Sequence, residues 1–210
     1  MNFQRVKHKF EMKKRDGEDV EKKENLVLGK KKNLRQGVGF LLYLAVLCCL
    51  TFAVIHFVGQ RTVVIGPSMQ PTLYEGDNLI VDKMTYRFRM PKRFEIIVFP
   101  YPADEDRLLI KRIIGLPGER VRIAEDGTIY INGEELIESY GKAVIQNAGL
   151  AAQEIVLSED EYFVLGDNRN DSTDSRSASV GCVKRESIVG RAWLRIFPFD
   201  KIRLLNPEKE

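Results

Sequence analysis

Histidine is almost absent. The 210-residue chain carries two, His8 and His56, and neither lies beyond residue 59. The long C-terminal segment therefore cannot build a Ser-His-Asp or Cys-His centre, and it lacks the usual imidazole ligands for zinc. Any activated nucleophile there must rely on Lys, Asp, Glu or Tyr as its base. Cysteine is nearly as scarce: Cys48 and Cys49 fall in an apolar stretch, leaving Cys182 alone in the polar body. With no second thiol there, no intramolecular disulfide framework is available and stability must come from the core.

Charge of either sign is missing from one long apolar stretch. Residues 37–59 form a run of 23 uncharged residues, enough at about 1.5 Å per residue to cross a hydrocarbon layer of about 30 Å. A cleaved export signal fits less well, because its apolar core is shorter and ends at small residues, whereas this run closes on His56-Phe57-Val58-Gly59. Residues 1–36 hold 12 Lys/Arg against 6 Asp/Glu, and residues 60–210 hold 21 against 24. Lys30, Lys31, Lys32 and Arg35 precede the run and only Arg61 follows it closely. The positive-inside rule then predicts a cytoplasmic tail (1–36), a single membrane span (37–59) and an extracytoplasmic domain (60–210). The tail interleaves Lys with Glu and Asp, so attraction to anionic lipid is expected of it and nucleic-acid binding is not.

After residue 60 the pattern is that of strands. Thr62–Ile65, Asn78–Asp82, Phe94–Phe99, Leu108–Ile114, Arg120–Ile123, Thr128–Ile131, Tyr162–Leu165 and Ser187–Phe197 are β-branched or aromatic runs bounded by Gly, Pro and Asp. Asp126-Gly127 and Asn132-Gly133 are tight-turn signals. Helical spacing is hard to find. The fold class predicted is mainly β: an N-terminal transmembrane helix, then an antiparallel sheet, barrel or sandwich, with a small inserted lobe over roughly 115–160.

Three segments carry possible chemistry. Gly66-Pro67-Ser68-Met69-Gln70-Pro71-Thr72-Leu73 is a constrained turn that would present the Ser68 hydroxyl in one orientation. In Leu108–Gly115, alternation puts Lys111 on one face with Leu109 and Ile113, and Arg112 on the other with Ile110 and Ile114. A lysine buried between aliphatics loses its preference for the charged form and becomes a usable base near neutral pH. The same lysine at a sheet edge would simply extend its ammonium to water. The third segment, Gly166 to Arg176, is dense in short polar side chains that rigidify a loop, with Asp174 and Arg176 spaced to pair.

Taken together, Ser68-Met69-x-Pro71-Thr72-Leu73, Gly76-Asp77 through Lys83, Lys111-Arg112 through Glu119, and Gly166-Asp167-Asn168-Arg169 through Arg176 resemble the boxes of type I signal peptidases, in that family's order. The resemblance extends over residues 37–200 and includes Gly190–Trp193 and Phe197-Pro198-Phe199. It implies a membrane-bound serine endopeptidase that removes signal peptides from exported preproteins, with Ser68 as nucleophile and Lys111 as base. It further implies that Ser172 hydrogen-bonds the lysine amine, that Asp174 and Arg176 support the site, and that the Ser68 amide donates to the oxyanion. Gly66 occupies the position where some relatives carry an oxyanion-stabilising hydroxyl. That feature, the small size and the missing second outer cysteine resemble the Gram-positive branch. Met69, Leu73 and Ile110 flank the two reactive residues and are candidates for a shallow pocket that admits small side chains, against an equal expectation of ordinary core. The segment Tyr86–Pro91 could dip into the membrane interface. No cofactor or metal is implied, the partners expected are signal peptides and the bilayer, and a monomer is expected. Ser139-Tyr140-Gly141-Lys142 matches the S-x-x-K of penicillin-binding proteins, but the companion S-D-N and K-T-G signatures are missing. The alternative of a different kind is a non-catalytic, membrane-tethered β domain that binds extended peptides.

Overall fold

A computed structural model describes residues 37, 39–52 and 59–207. The basic tail, and residues 38 and 53–58 of the expected span, lie outside the described residues. The chain divides into two units, Met1–Ala53 and Val54–Glu210. In the first, residues 39–52 form a helix, α1, whose side chains are exposed. Among the described residues no helix is long and apolar enough to cross a membrane.

The second unit is built from twelve strands, β1 (Gly59–Val63), β2 (Asn78–Asp82), β3 (Ile96–Tyr101), β4 (Asp104–Gly115), β5 (Arg120–Ile123), β6 (Ile129–Ile131), β7 (Glu134–Glu135), β8 (Ile155–Val156), β9 (Glu161–Leu165), β10 (Val183–Lys184), β11 (Gly190–Phe197) and β12 (Arg203–Leu204). The expectation of a mainly β antiparallel domain holds. Among its described residues one four-residue α-helix, α2 (Thr85–Phe88), interrupts it, where no helical spacing was legible.

Eight strands form one sheet in the order β1-β2-β11-β3-β4-β9-β10, with β12 joined to β11. No pairing among the described residues joins β10 back to β1, so the sheet does not close into a barrel. A second sheet, β7-β6-β5-β8, covers residues 120–156. Its hairpins follow from their turns. Between β5 and β6, Gly127 takes φ +86°, and Ala124 N–H donates to Thr128 O at 2.9 Å. Between β6 and β7, Asn132 and Gly133 both take positive φ, which the Asn-Gly type I′ turn requires.

Alternation along the strands fills three apolar clusters. Leu79, Val81, Ile96, Val98 and Ile110 pack with Met69 and Leu73. Ile97, Phe99, Leu109, Ile113, Tyr162 and Val164 form a second. Ile114, Val121, Ile123, Phe163 and Leu165 tie the two sheets in a third. At about 1.5–3 kcal/mol for each fully buried large aliphatic or aromatic side chain, these clusters are the main favourable contribution to folding in a domain without disulfides. They also fix the two segments that carry Ser68 and Lys111, because both run directly from buried residues.

Candidate active site

Ser68 lies in the turn that follows β1. The turn is anchored by Val64 N–H to Asp77 O at 2.9 Å, Gln70 N–H to Pro67 O at 3.0 Å and Leu73 N–H to Met69 O at 2.8 Å. Gly66 takes φ +82° with open space where a Cβ would stand, a conformation that a residue with a side chain adopts only with strain. The 166–176 loop clamps the turn from behind: Asn168 N–H donates to Ser68 O at 3.0 Å, and Asn168 Nδ2 to Pro67 O at 3.3 Å. The approach is close enough that a Cβ on Gly166 would stand 2.5 Å from Ser68 O and overlap the Ser172 hydroxyl. Glycine is therefore required there by contact.

Lys111 sits opposite Ile97 in the β3–β4 ladder, and β9 begins to pair with β4 only at the next residue, Arg112. The β9-side edge of β4 is thus open from Lys111 backwards, and the amine sits where the edge opens. Its Nζ lies 2.7 Å from Ser68 Oγ and 3.0 Å from Ile110 O. The residue is 2 % exposed. Burial is the main cause that lowers its pKa from the ordinary lysine value to about 8, and Arg107 pushes the same way. Asp174 and Asp167 pull in the opposite direction by favouring the ammonium. The alternative in which this lysine reaches out to water is excluded by its burial.

A cleft of about 510 Å³ opens over the pair, lined by residues 62–69, 106–111 and 171–173. Met69 and Ile110 belong to this lining. Leu73 does not: it is fully buried with Leu79, Val81 and Ile96. The Leu73 N–H to Met69 O bond winds one turn of chain and carries Leu73 into the core, the second of the two expectations held for it.

Ser172 lines the cleft, but its buried hydroxyl has no hydrogen-bond partner among the described residues. The expected bond to the lysine amine is not formed here. The amine engages Ser68 and Ile110 instead, and the Ser172 side chain packs against Gly166. Among the described residues no hydrogen bond or ion pair joins Asp174 or Arg176 to Ser68 or Lys111. Asp174 accepts Gly166 N–H at 3.0 Å, and Arg176 Nε donates to Asp174 Oδ1 at 2.8 Å. Arg176 Nη1 reaches Asn147 O at 3.1 Å. The pair holds the clamp loop in shape, and Asp174 acts on Lys111 only through its charge.

Sequence reasoning missed a second buried pair. Arg112 Nε and Nη2 donate to the two oxygens of Asp167 at 2.8 and 2.6 Å. Arg112 Nη1 donates to Phe94 O at 2.8 Å, and its guanidinium carbon stands 3.7 Å from the centre of the Tyr140 ring. Phe94 is held at φ +67° to present that carbonyl. Arg112 thus joins the strand of the lysine to the loop that clamps the serine. The available signal was alternation, which sets Arg112 on the face opposite Lys111, and an arginine inside an aliphatic strand demands a partner. Among the described residues no group of three or more His, Cys, Asp or Glu is arranged to hold a metal.

An alcohol and a desolvated amine within hydrogen-bond reach, on a loop-clamped turn beside an open strand edge, define a site for acyl transfer by a serine nucleophile. Comparison with known proteins agrees. Residues 38–197 match the family model described as signal peptidase, peptidase S26. The chain belongs to that family. It is 40% identical over 160 residues to a probable signal peptidase I-2 of Synechocystis, covering 73% of this chain and 70% of the relative. It is 34% identical over 181 residues to signal peptidase I T of Bacillus subtilis, covering 83% and 91%. A crystal structure of a signal peptidase I from Enterococcus faecalis is 37% identical, covers 49% of this chain and 97% of its own, and superposes with a TM-score of 0.39.

Proposed function

We propose that this protein is a serine endopeptidase that cleaves signal peptides from exported preproteins with a Ser68–Lys111 dyad. The observation that carries the dyad is the 2.7 Å separation of Lys111 Nζ and Ser68 Oγ at a lysine whose pKa is lowered to about 8. The endopeptidase reading also rests on the family match.

The neutral amine accepts the Ser68 proton as Oγ attacks the scissile carbonyl carbon. The resulting oxyanion is met by the Ser68 backbone amide. Gly66 contributes no side-chain donor, and one such donor is worth about 3–4 kcal/mol in other hydrolases. The ammonium then returns the proton to the leaving amine as the C–N bond breaks, leaving an ester on Ser68. Water, deprotonated by the same amine, attacks that ester, and the ammonium gives the proton to Ser68 Oγ as the acyl C–O bond breaks. Ser172 is assigned the task of orienting the amine, because its hydroxyl is buried in the cleft wall and committed to no other partner. Asp174 and Arg176 hold the clamp loop.

The substrate is an extended segment laid along the open β4 edge, where main-chain bonds give affinity and alternate side chains meet the cleft wall. Met69 and Ile110 form part of that wall and favour small side chains. The uncharged run at 37–59 anchors the chain once in the membrane, with the basic tail in the cytoplasm and residues 60–210 outside. The enzyme works as a monomer.

Single-turnover cleavage of a preprotein by the full chain, compared with Ser68→Ala and Lys111→Ala, tests this. Both variants are expected to fold, as read by circular dichroism, and to lose cleavage. Cleavage surviving in either folded variant removes the dyad, whereas no cleavage by the unaltered chain leaves a tethered peptide-binding β domain.

A further inference from the structure

Away from the cleft, a second concavity of about 310 Å³ is lined by Lys83, Tyr86, Arg87, Pro91, Arg185 and Ile188. Three of these side chains are cationic and none of the lining is acidic. Of the carboxylates around it, Glu95 and Asp82 are committed elsewhere, and Asp160 and Glu186, beside Arg185, are exposed and outside the lining. Glu95 is buried and held by Arg89 Nη1 at 3.0 Å, Tyr86 Oη at 3.0 Å and Arg191 Nη1 at 3.3 Å. Asp82 accepts the Met84 and Thr85 amides at 2.9 and 3.0 Å. Arg185 is fixed in place: its amide donates to Asp160 O at 2.8 Å and its Nη2 to Tyr86 O at 3.1 Å. Lys83 and Arg87 make no ion pair among the described residues, although acidic side chains are plentiful on this chain. Like charges gathered without counter-charge repel one another, and an anion relieves that cost.

The residues between the lining positions Arg87 and Pro91 identify the anion. Phe88, on α2, is 81% exposed and Met90, just after it, is 43% exposed. A site for a soluble anion gains nothing from a bare phenyl ring and thioether beside it. A site at the headgroup level of a bilayer buries both, while its cations meet the phosphates. We propose that the Lys83–Arg87–Arg185 pocket binds the phosphate headgroup of an anionic phospholipid, with Phe88 and Met90 entering the adjoining acyl boundary.

Peptide-resolved amide exchange on the full chain in neutral sugar-detergent micelles tests the site locally, so that lipid attracted by the basic tail does not count. Added dioleoyl phosphatidylglycerol is expected to slow exchange over residues 83–91 and 183–189, and dioleoyl phosphatidylcholine is not. Lys83→Gln with Arg87→Gln weakens that response by roughly 30-fold in lipid concentration, the effect of two basic side chains at an anionic surface. Unchanged exchange over β9 in the same samples shows that the double variant is folded. Arg120→Gln with Arg122→Gln, an equal charge change in the second sheet, leaves the response intact. Equal protection by the two lipids overturns the proposal, as does a response indifferent to Lys83 and Arg87. Equal protection by inorganic phosphate without lipid overturns the lipid assignment in favour of a soluble anion.

Discussion

If Lys111 is the base, only its neutral form is active, and the rate must follow its titration. With a pKa of about 8, the neutral share is about half at pH 8, about 10% at pH 7 and about 1% at pH 6. The value of kcat/KM for the free enzyme should therefore rise about tenfold per pH unit up to pH 7 and level off above pH 9. An ordinary lysine near 10.4 would be less than 0.1% neutral at pH 7, so burial raises the active fraction there by roughly two orders of magnitude. The assay is cleavage of an internally quenched peptide with Ala-x-Ala before the cut and no titrating side chains, run on the full chain in micelles from pH 5.5 to 9.5. Arg107→Gln supplies an internal control. Arg107 is exposed and its charge lowers the Lys111 pKa, so its removal moves the midpoint to higher pH. Screening by solvent keeps that shift small. A profile flat between pH 6 and 9, or a midpoint above 9.5, refutes the desolvated lysine as base.

Lys111→Met should abolish cleavage and stabilise the protein at pH 7. The folded pKa lies below the unfolded one, so the unfolded state binds the extra proton and the cost of burying the lysine is complete below pH 8. That cost is at most about 3 kcal/mol, less the two hydrogen bonds lost. It fades as pH rises from 8 to 10.5, so the melting-temperature advantage of the variant should shrink across that window. Arg112→Met strands the buried Asp167 carboxylate and should cost about 3–5 kcal/mol in urea unfolding, whereas Arg112→Met with Asp167→Leu should recover most of it.

Much of the candidate site was legible in single residues. The histidine count removed the common triads, and alternation flagged Lys111 as an amine flanked by Leu109 and Ile113 on one strand face. Those neighbours do pack together around Ile97. Asn78–Asp82 and Arg120–Ile123 were delimited because both are dense in β-branched or aliphatic residues and bounded by turns. The order of strands was not legible, because β11 inserts between β2 and β3 from about a hundred residues away and pairing at that distance leaves no local pattern. Two-residue strands such as β10 and β12 are too short for periodicity. Arg112 and Asp167 lie 55 positions apart, so only the fold reveals them as partners. Leu73 stayed open between pocket and core, because closeness to the nucleophile in sequence does not say which way the chain turns, and one hydrogen bond turns it inward.

The site combines two requirements that oppose each other. An amine can serve as base only if water is kept away from it, yet the same exclusion destabilises the fold that holds it. The surrounding structure offsets this with rigidity. Two arginine–aspartate pairs, Arg112–Asp167 and Arg176–Asp174, are both nearly dry, and both brace the loop that touches Ser68 from behind. Neither pair need stabilise the protein on its own account, since a buried ion pair repays little more than its own desolvation. What they fix is position: Arg112 leads from the strand of Lys111 to Asp167, whose neighbour Asn168 bonds to the Ser68 and Pro67 carbonyls. A 1 Å displacement of either partner would take the 2.7 Å contact outside hydrogen-bond reach. On this argument the clamp loop matters to the proposed catalysis through distance: its two ion pairs hold the Ser68 turn in place, and the amine itself bonds only to Ser68 and Ile110.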